Sequence, residues 1–193
     1  VRLGQRHLRT LILSLALRGM IFRAKAFQSY AEEVWRQTLS MARIGRAIAQ
    51  ATGGDPDRAF LIGLLHDVGK GPLLDVLAKV GSQRSVSRSL VGAVFHAHHE
   101  AAGARLARAW KLPDEVVSVA GHHHDYRNNP LTPDGAALAS LALRIDLYLS
   151  LGSPSKYGEL ALADEMDLLQ VSQADRAAIL RTCLKLHAEP VPA

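Results

Sequence analysis

The chain contains a single cysteine, Cys183, in 193 residues. One cysteine excludes an internal disulfide framework and a zinc knuckle held by several thiolates. This composition fits a reducing cytoplasm, where we expect the protein to be located. Aromatic residues are also scarce, at 5% of the chain. Because β-rich proteins depend on aromatic and β-branched side chains, an all-β fold is not expected.

Leucine and alanine together supply 59 of the 193 residues, and both are strong helix formers. No segment clearly alternates between apolar and polar residues, whereas apolar residues recur at helical spacing along the chain. The sequence therefore predicts an all-α fold, a single multi-helix bundle over residues 1–193. Asp55 and Ser172 are placed to cap two of its helices. The predicted helices lie near residues 4–22, 28–51, 56–69, 72–80, 87–97, 99–110, 113–124 and 134–151, with a last helix after Ser172.

Positive charge is concentrated at the start of the chain. The first 50 residues hold nine Lys and Arg but only two acidic residues. Arginines on the wet faces of amphipathic helices account for this excess. Since no nucleic-acid motif accompanies the basic segment, binding of nucleic acid or of an acidic partner is kept only as an alternative.

Residues 135–152 have about the length of a membrane span. Arg144 and Asp146 lie near the centre of this apolar segment, where charged side chains are costly in a bilayer. The segment therefore predicts a buried core helix, and no membrane contact is expected.

Histidines are the main candidates for chemistry, and six of the nine lie between residues 96 and 124. The sharpest local motif is His66-Asp67, followed by Gly69 and Lys70. An adjacent imidazole and carboxylate suit one divalent cation. Gly69 is expected to let the chain turn, and Lys70 is placed to contact a phosphate. Asp146 lies in a helix that is apolar almost all round, so its carboxylate is expected to be either paired or metal-bound.

Other catalytic patterns are absent from the sequence. It has no Gly-x-Ser-x-Gly elbow, no phosphate-binding Gly-rich loop and no His-Glu-x-x-His helix. Cys183 lies on an apolar helical stripe and is expected to be inert core. We expect Trp35 and Trp110 to lie in the core. His96 and His98 are expected to be bystanders that bind no metal.

Several motifs together resemble one known family. They are the Trp-containing helix at residues 35–39, the His-Asp motif at 59–70, the pattern His99, Gly103, Trp110, Leu112 and Pro113, and the paired histidines His123 and His124. These residues resemble the HDOD domain, the HD-related output domain of bacterial signalling proteins, within the HD superfamily of metal-dependent phosphohydrolases. The resemblance covers most of the chain and implies that the family's earlier N-terminal helical lobe is missing.

The resemblance implies a metal site with a divalent ion such as Fe, Mn, Zn or Mg. Active HD enzymes place a further histidine ligand where Gln37 stands, and a neutral amide is a poorer ligand for such ions. The site is therefore expected to be degenerate. Asn128 to Leu131 replace the Gly-Tyr-Pro motif of cyclic-di-GMP phosphodiesterases, which disfavours that activity. The implied ligands are His66, Asp67, His99, His123, His124 and Asp146.

Two functions follow as alternatives. The first is a signalling output module that acts through contacts with a protein partner or a fused domain and keeps a vestigial metal or nucleotide pocket. The second is a metal-dependent phosphohydrolase acting on a nucleotide or cyclic nucleotide, with Lys70 as a phosphate contact.

Overall fold

The computed structural model of the chain describes residues 5–21, 23–81, 86–151 and 163–188. These residues form α-helices joined by short turns and contain no strand, which confirms the prediction of an all-α fold. Short 3₁₀ turns at Lys25–Phe27 and Tyr126–Asn128 complete the regular structure. The helices are α1 (Gln5–Ile21), α2 (Gln28–Thr52), α3 (Pro56–Leu65), α4 (Lys70–Gly81), α5 (Arg88–Ala109), α6 (Asp114–His122), α7 (Pro133–Ser150), α8 (Asp164–Leu168) and α9 (Gln173–Ala188).

The long helix α2 contributes to two apolar clusters. Its first half packs with α1, α4 and the end of α3 in the first cluster. Its second half packs with α7, α8 and α9 in the second cluster. The side chains that α2 places in these clusters are Ala31, Val34 and Ala42 in the first, and Met41, Ile44, Ala47, Ile48 and Ala49 in the second.

Helices α2 and α3 approach each other closely. A Cβ added at Gly63 would lie 2.6 Å from the carbonyl oxygen of Met41, so only glycine permits this contact. Helix α3 contributes Ala59 and Ile62 to the second cluster and Leu64 and Leu65 to the first. The C-terminal end of α3 is thereby fixed against α2, with the His66-Asp67 motif directly beyond it.

The predicted helix starts at Asp55 and Ser172 are confirmed. The Asp55 carboxylate accepts hydrogen bonds from the backbone nitrogens of Asp57 and Arg58, at 2.9 and 3.1 Å. The Ser172 hydroxyl accepts a hydrogen bond from the backbone nitrogen of Asp175 at 3.2 Å. Each cap satisfies N–H groups that have no partner within the helix.

Two predicted boundaries are wrong. Helix α3 ends at Leu65 rather than near Gly69, because residues 66–69 form a turn. The two helices predicted at 87–97 and 99–110 are the single helix α5, since no Pro or Gly interrupts the chain between them. The short helix α8 was not predicted, and its five residues are too few for a periodic signal.

The apolar segment near residue 140 is the buried helix α7, as predicted. Leu141, Ala142 and Ile145 are fully buried. Arg144 is partly exposed, and its guanidinium donates to Oε1 of the buried Glu165 at 2.8 Å. Within the described ranges, every helix is too short or too polar to cross a bilayer.

Cys183 lies in the second cluster with no exposed surface, and burial raises the pKa of its thiol to about 12. Because the thiolate is the reactive form, we expect iodoacetamide at about pH 8 to alkylate the folded protein at least about a hundredfold more slowly than the urea-unfolded protein. Mass spectrometry of samples taken over time measures both rates. Equal rates in the two states would show that the thiol is accessible in the folded protein.

A candidate metal centre at the end of helix α3

Three separate segments bring the predicted histidines together. His66 and Asp67 lie in the turn after α3, His99 lies in α5, and His123 and His124 follow α6. Two groups have ligand atoms that all lie within 4.8 Å of one another, and they share His123. These groups are His66, Asp67 and His123, and His99, His123 and His124. We call the five residues the histidine–aspartate cluster.

Close backbone contact between the turn and α5 positions the cluster. A Cβ added at Gly69 would lie 2.0 Å from the carbonyl oxygen of His99 and 2.5 Å from the backbone nitrogen of Gly103. The chain turns over residues 66–69, as expected, but Gly69 does not have a positive φ, so the turn does not depend on glycine's backbone freedom. Its physical role is to let the turn touch α5, which places His99 beside Asp67.

The backbone orients three of the imidazole rings. In His66, His99 and His123, Nδ1 lies within hydrogen-bond distance of a main-chain carbonyl. Because a carbonyl oxygen only accepts, Nδ1 carries the proton and Nε2 of each neutral ring keeps its lone pair. The acceptors are the carbonyl oxygens of Gly63 at 2.8 Å, Phe95 at 2.5 Å and Val119 at 3.1 Å, respectively.

The Nε2 atoms of these three rings face the carboxylate of Asp67, and those of His99 and His123 lie 3.3 Å from each other. Oδ1 of Asp67 lies 3.4 Å from Nε2 of His99 and 3.6 Å from Nε2 of His123. Nε2 of His66 lies 3.1 Å from Oδ2, and Nε2 of His124 lies 3.0 Å from Nε2 of His99. Among the residues that the structure describes, His66 Nε2 and Asp67 Oδ1 are buried and have no hydrogen-bond partner. Lone pairs that converge in this way without donors fit a bound cation.

Charge states in the cluster agree with this interpretation. Burial lowers the pKa of His99 and, more strongly, that of His123, which favours their neutral forms. Burial alone would raise the pKa of Asp67, but the adjacent His66 imidazole and the Lys70 ammonium outweigh it and hold that pKa well below its usual value. Neutral imidazoles with one carboxylate are a ligand set for a borderline divalent ion such as Zn, Fe or Mn.

Lys70 is the cationic neighbour of the cluster. Its Nζ lies 2.5 Å from Oδ2 of Asp67. Beside this ion pair is a cavity of about 190 Å³. His96, predicted to be a bystander, also lines the cavity but belongs to neither ligand group. The lining residues are Asp67, Lys70, Phe95, His96, His99, His123, His124 and Leu143.

Asp146 is buried as predicted, but the structure does not bring it into the histidine–aspartate cluster. Its carboxylate accepts a hydrogen bond from the Ser40 hydroxyl of α2. This hydrogen bond gives the buried carboxylate one polar partner. Gln37 is half-buried in α2 and does not line the cavity.

Glu100 is a functional candidate that the sequence analysis missed. Its Oε1 accepts a hydrogen bond from the backbone nitrogen of His124 at 3.1 Å and lies 3.7 Å from Nδ1 of His123. Glu100 therefore holds the end of α6 against α5. In the sequence, Glu100 is marked only by its position next to His99. Its partner His124 lies 24 residues further along the chain, so the contact has no local signal.

Comparison with known proteins gives one family and several partial relatives. The family model described as the HDOD domain matches residues 1–126. Ribonuclease Y of Thermus thermophilus is 33% identical over 100 residues, which cover 52% of this chain and 14% of that protein. Ribonuclease Y of Deinococcus radiodurans is 31% identical over the same shares. An uncharacterized protein of Treponema pallidum is 24% identical over 139 residues, 67% of this chain and 26% of that protein. The chain thus spans a small part of each relative, and no solved structure gives a significant match.

The contact at Gly69 can be tested by stability measurements. We expect Gly69→Ala to lower the free energy of unfolding by roughly 2 kcal/mol or more, because two backbone segments would have to separate. Gly92→Ala in the exposed face of α5 is the matched control, since a Cβ there meets no atom within 4 Å. The control should be stabilised by up to about 1 kcal/mol through helix propensity. Urea denaturation measures both, and a Gly69→Ala protein as stable as wild type would contradict the assigned contact.

Proposed function

This chain belongs to the HDOD family, and on that premise we propose that it is a bacterial signal-transduction module that binds a divalent cation and acts through protein contacts. The partner is a signalling protein or a domain fused to the same chain. Membership of this family supports an HD-related module.

The observation that carries the proposal is an incomplete ligand set around a well-formed cluster. Five side chains converge, and within the described part of the chain two buried ligand atoms have no hydrogen-bond partner. However, Asp146 is engaged by Ser40, and an amide occupies position 37 where active HD enzymes carry a histidine. This arrangement supports cation binding more strongly than it supports catalysis.

Cation binding would connect three elements of the fold. The ligands come from the turn before α4, from α5 and from the end of α6. A ligand that binds only the folded state stabilises it in proportion to its occupancy. Metal occupancy of the cluster is therefore linked to how stably α4, α5 and α6 pack together. We infer that a partner binds the surface formed by these helices and responds to this change in stability.

The test compares two neighbouring exposed histidines. His124 belongs to the cluster, whereas His122 does not. We expect His124→Ala to weaken binding of Mn²⁺ or Zn²⁺ by about tenfold or more, because it removes a ligand. His122→Ala should bind as wild type. Isothermal titration, together with the metal content of the purified protein by elemental mass spectrometry, measures the effect.

Wild-type protein that binds no divalent metal would overturn the cation site. Equal affinities in the two variants would remove His124 from the ligand set. A signalling module without hydrolytic activity should also leave nucleotides, cyclic dinucleotides and RNA intact in the presence of each metal.

A metal-dependent phosphohydrolase remains a second candidate because Lys70 lines a cavity next to the ligands. A bound divalent ion supplies a hydroxide near neutral pH by lowering the pKa of its water. Lys70 would neutralise a phosphate, and His124 at the cavity rim would hold or release a proton. Because one relative is named Ribonuclease Y, RNA should be tested as a substrate together with the nucleotides.

Hydrolysis that is lost in His124→Ala and kept in His122→Ala would establish this second function in place of the first. The readout is product formation from nucleotides, cyclic dinucleotides and short RNA with Mn²⁺, Zn²⁺ or Mg²⁺. Activity that persists in both variants would place the chemistry outside the histidine–aspartate cluster.

A further inference from the structure

Lys70 is the first residue of α4, and its side chain turns back onto the cluster. It is 17% exposed. Its Nζ lies 2.5 Å from Asp67 Oδ2 and 5.9 Å from the centre of the Phe95 ring, at the wall of the cavity. The ammonium is thus placed between a buried carboxylate and an open space.

The buried carboxylate requires a positive charge. Asp67 is 7% exposed, and an uncompensated buried charge is strongly destabilising. The imidazoles of His66, His99 and His123 direct Nδ1 at main-chain carbonyls and turn Nε2 toward Asp67, so they offer lone pairs rather than protons. In the described ranges, Lys70 is the only Lys or Arg that forms an ion pair with Asp67. The lysine therefore carries the charge that a metal ion would otherwise supply.

Resting on the cation site proposed above, we infer that Lys70 is an internal competitor of the metal. In the metal-free protein its ammonium forms an ion pair with the Asp67 carboxylate. This ion pair breaks when a divalent cation binds to that carboxylate. Two cations at one carboxylate repel each other, so part of the metal's binding free energy is spent in releasing Lys70. The lysine therefore weakens metal binding and allows the bound metal to dissociate readily. This property suits a module that responds to metal concentration.

The position of Lys70 also determines where its ammonium would lie after release from Asp67. The side chain already lies at the cavity wall near Phe95, so the freed ammonium would point into the cavity. An anion such as phosphate would then meet a positive charge that it does not meet while Lys70 is paired with Asp67. Metal occupancy thereby controls whether the cavity is attractive to anions.

The first experiment removes the charge and keeps the length of the side chain. We expect Lys70→Met to bind Mn²⁺ about tenfold or more tightly than wild type by isothermal titration. Lys79→Met, on the exposed side of the same helix, makes the same chemical change away from Asp67 and should bind as wild type. In EDTA, Lys70→Met should have the lower Tm of the two variants, and saturating Mn²⁺ should restore it.

The second experiment uses the wild-type protein and needs no variant to fold. Acetic anhydride acetylates free lysine amines, and peptide mass spectrometry reports the rate at each site. We expect saturating Mn²⁺ to speed acetylation of Lys70 severalfold by releasing it from Asp67. The rate at Lys79 should not change.

The outcomes separate this inference from the cation site on which it rests. Unchanged or weaker Mn²⁺ binding in Lys70→Met, or acetylation of Lys70 that does not respond to metal, overturns the competition and leaves the site intact. Binding of Mn²⁺ by Lys70→Met but not by the wild type overturns the cation site of the native protein and, with it, an exchange between Lys70 and the metal. Absence of binding in every variant overturns both.

Discussion

The buried negative charge of Asp67 is the constraint around which this part of the molecule is organised. A carboxylate with 7% exposure can persist only with compensating charge or donors. The chain meets this need with one ammonium, while the surrounding imidazoles turn lone pairs toward the same point. Helices α3 and α6 both end at the cluster, so the negative ends of their dipoles add to a field that favours a cation. The site is electrostatically poised for positive charge, whichever ion provides it.

The orientation of the rings is a property of the helix ends as much as of the histidines. His66 and His123 each stand at the C-cap of a helix and use a carbonyl from its last turn. Those carbonyls lack a partner within the helix, so the ring N–H satisfies the helix end while the other nitrogen is left free. Structural and functional needs are met by one contact, which explains how buried histidines can be both well anchored and available.

Local features of the fold could be predicted from the sequence, but features that depend on distant residues could not. Leucine and alanine periodicity predicted the helices, and Asp55 and Ser172 marked two starts correctly. The cluster was predicted because His66 and Asp67 are adjacent and the later histidines follow the family pattern. The Ser40 contact of Asp146 spans 106 residues, and the close approach of Gly69 to α5 exists only in the packed structure. A glycine in sequence does not show whether it is there for its φ or for its missing side chain.

The position of α2 between the two apolar clusters bears on how the chain can be shortened. The family match ends at residue 126, before α7 begins. A fragment cut there would keep the histidine–aspartate cluster but remove α7, α8 and α9, which pack against Met41, Ile44 and Ile48. These side chains would then form an apolar stripe along about half of a 25-residue helix, which is a surface prone to aggregation. The helices beyond the family match therefore keep the apolar face of α2 out of water in the segment that carries the cluster.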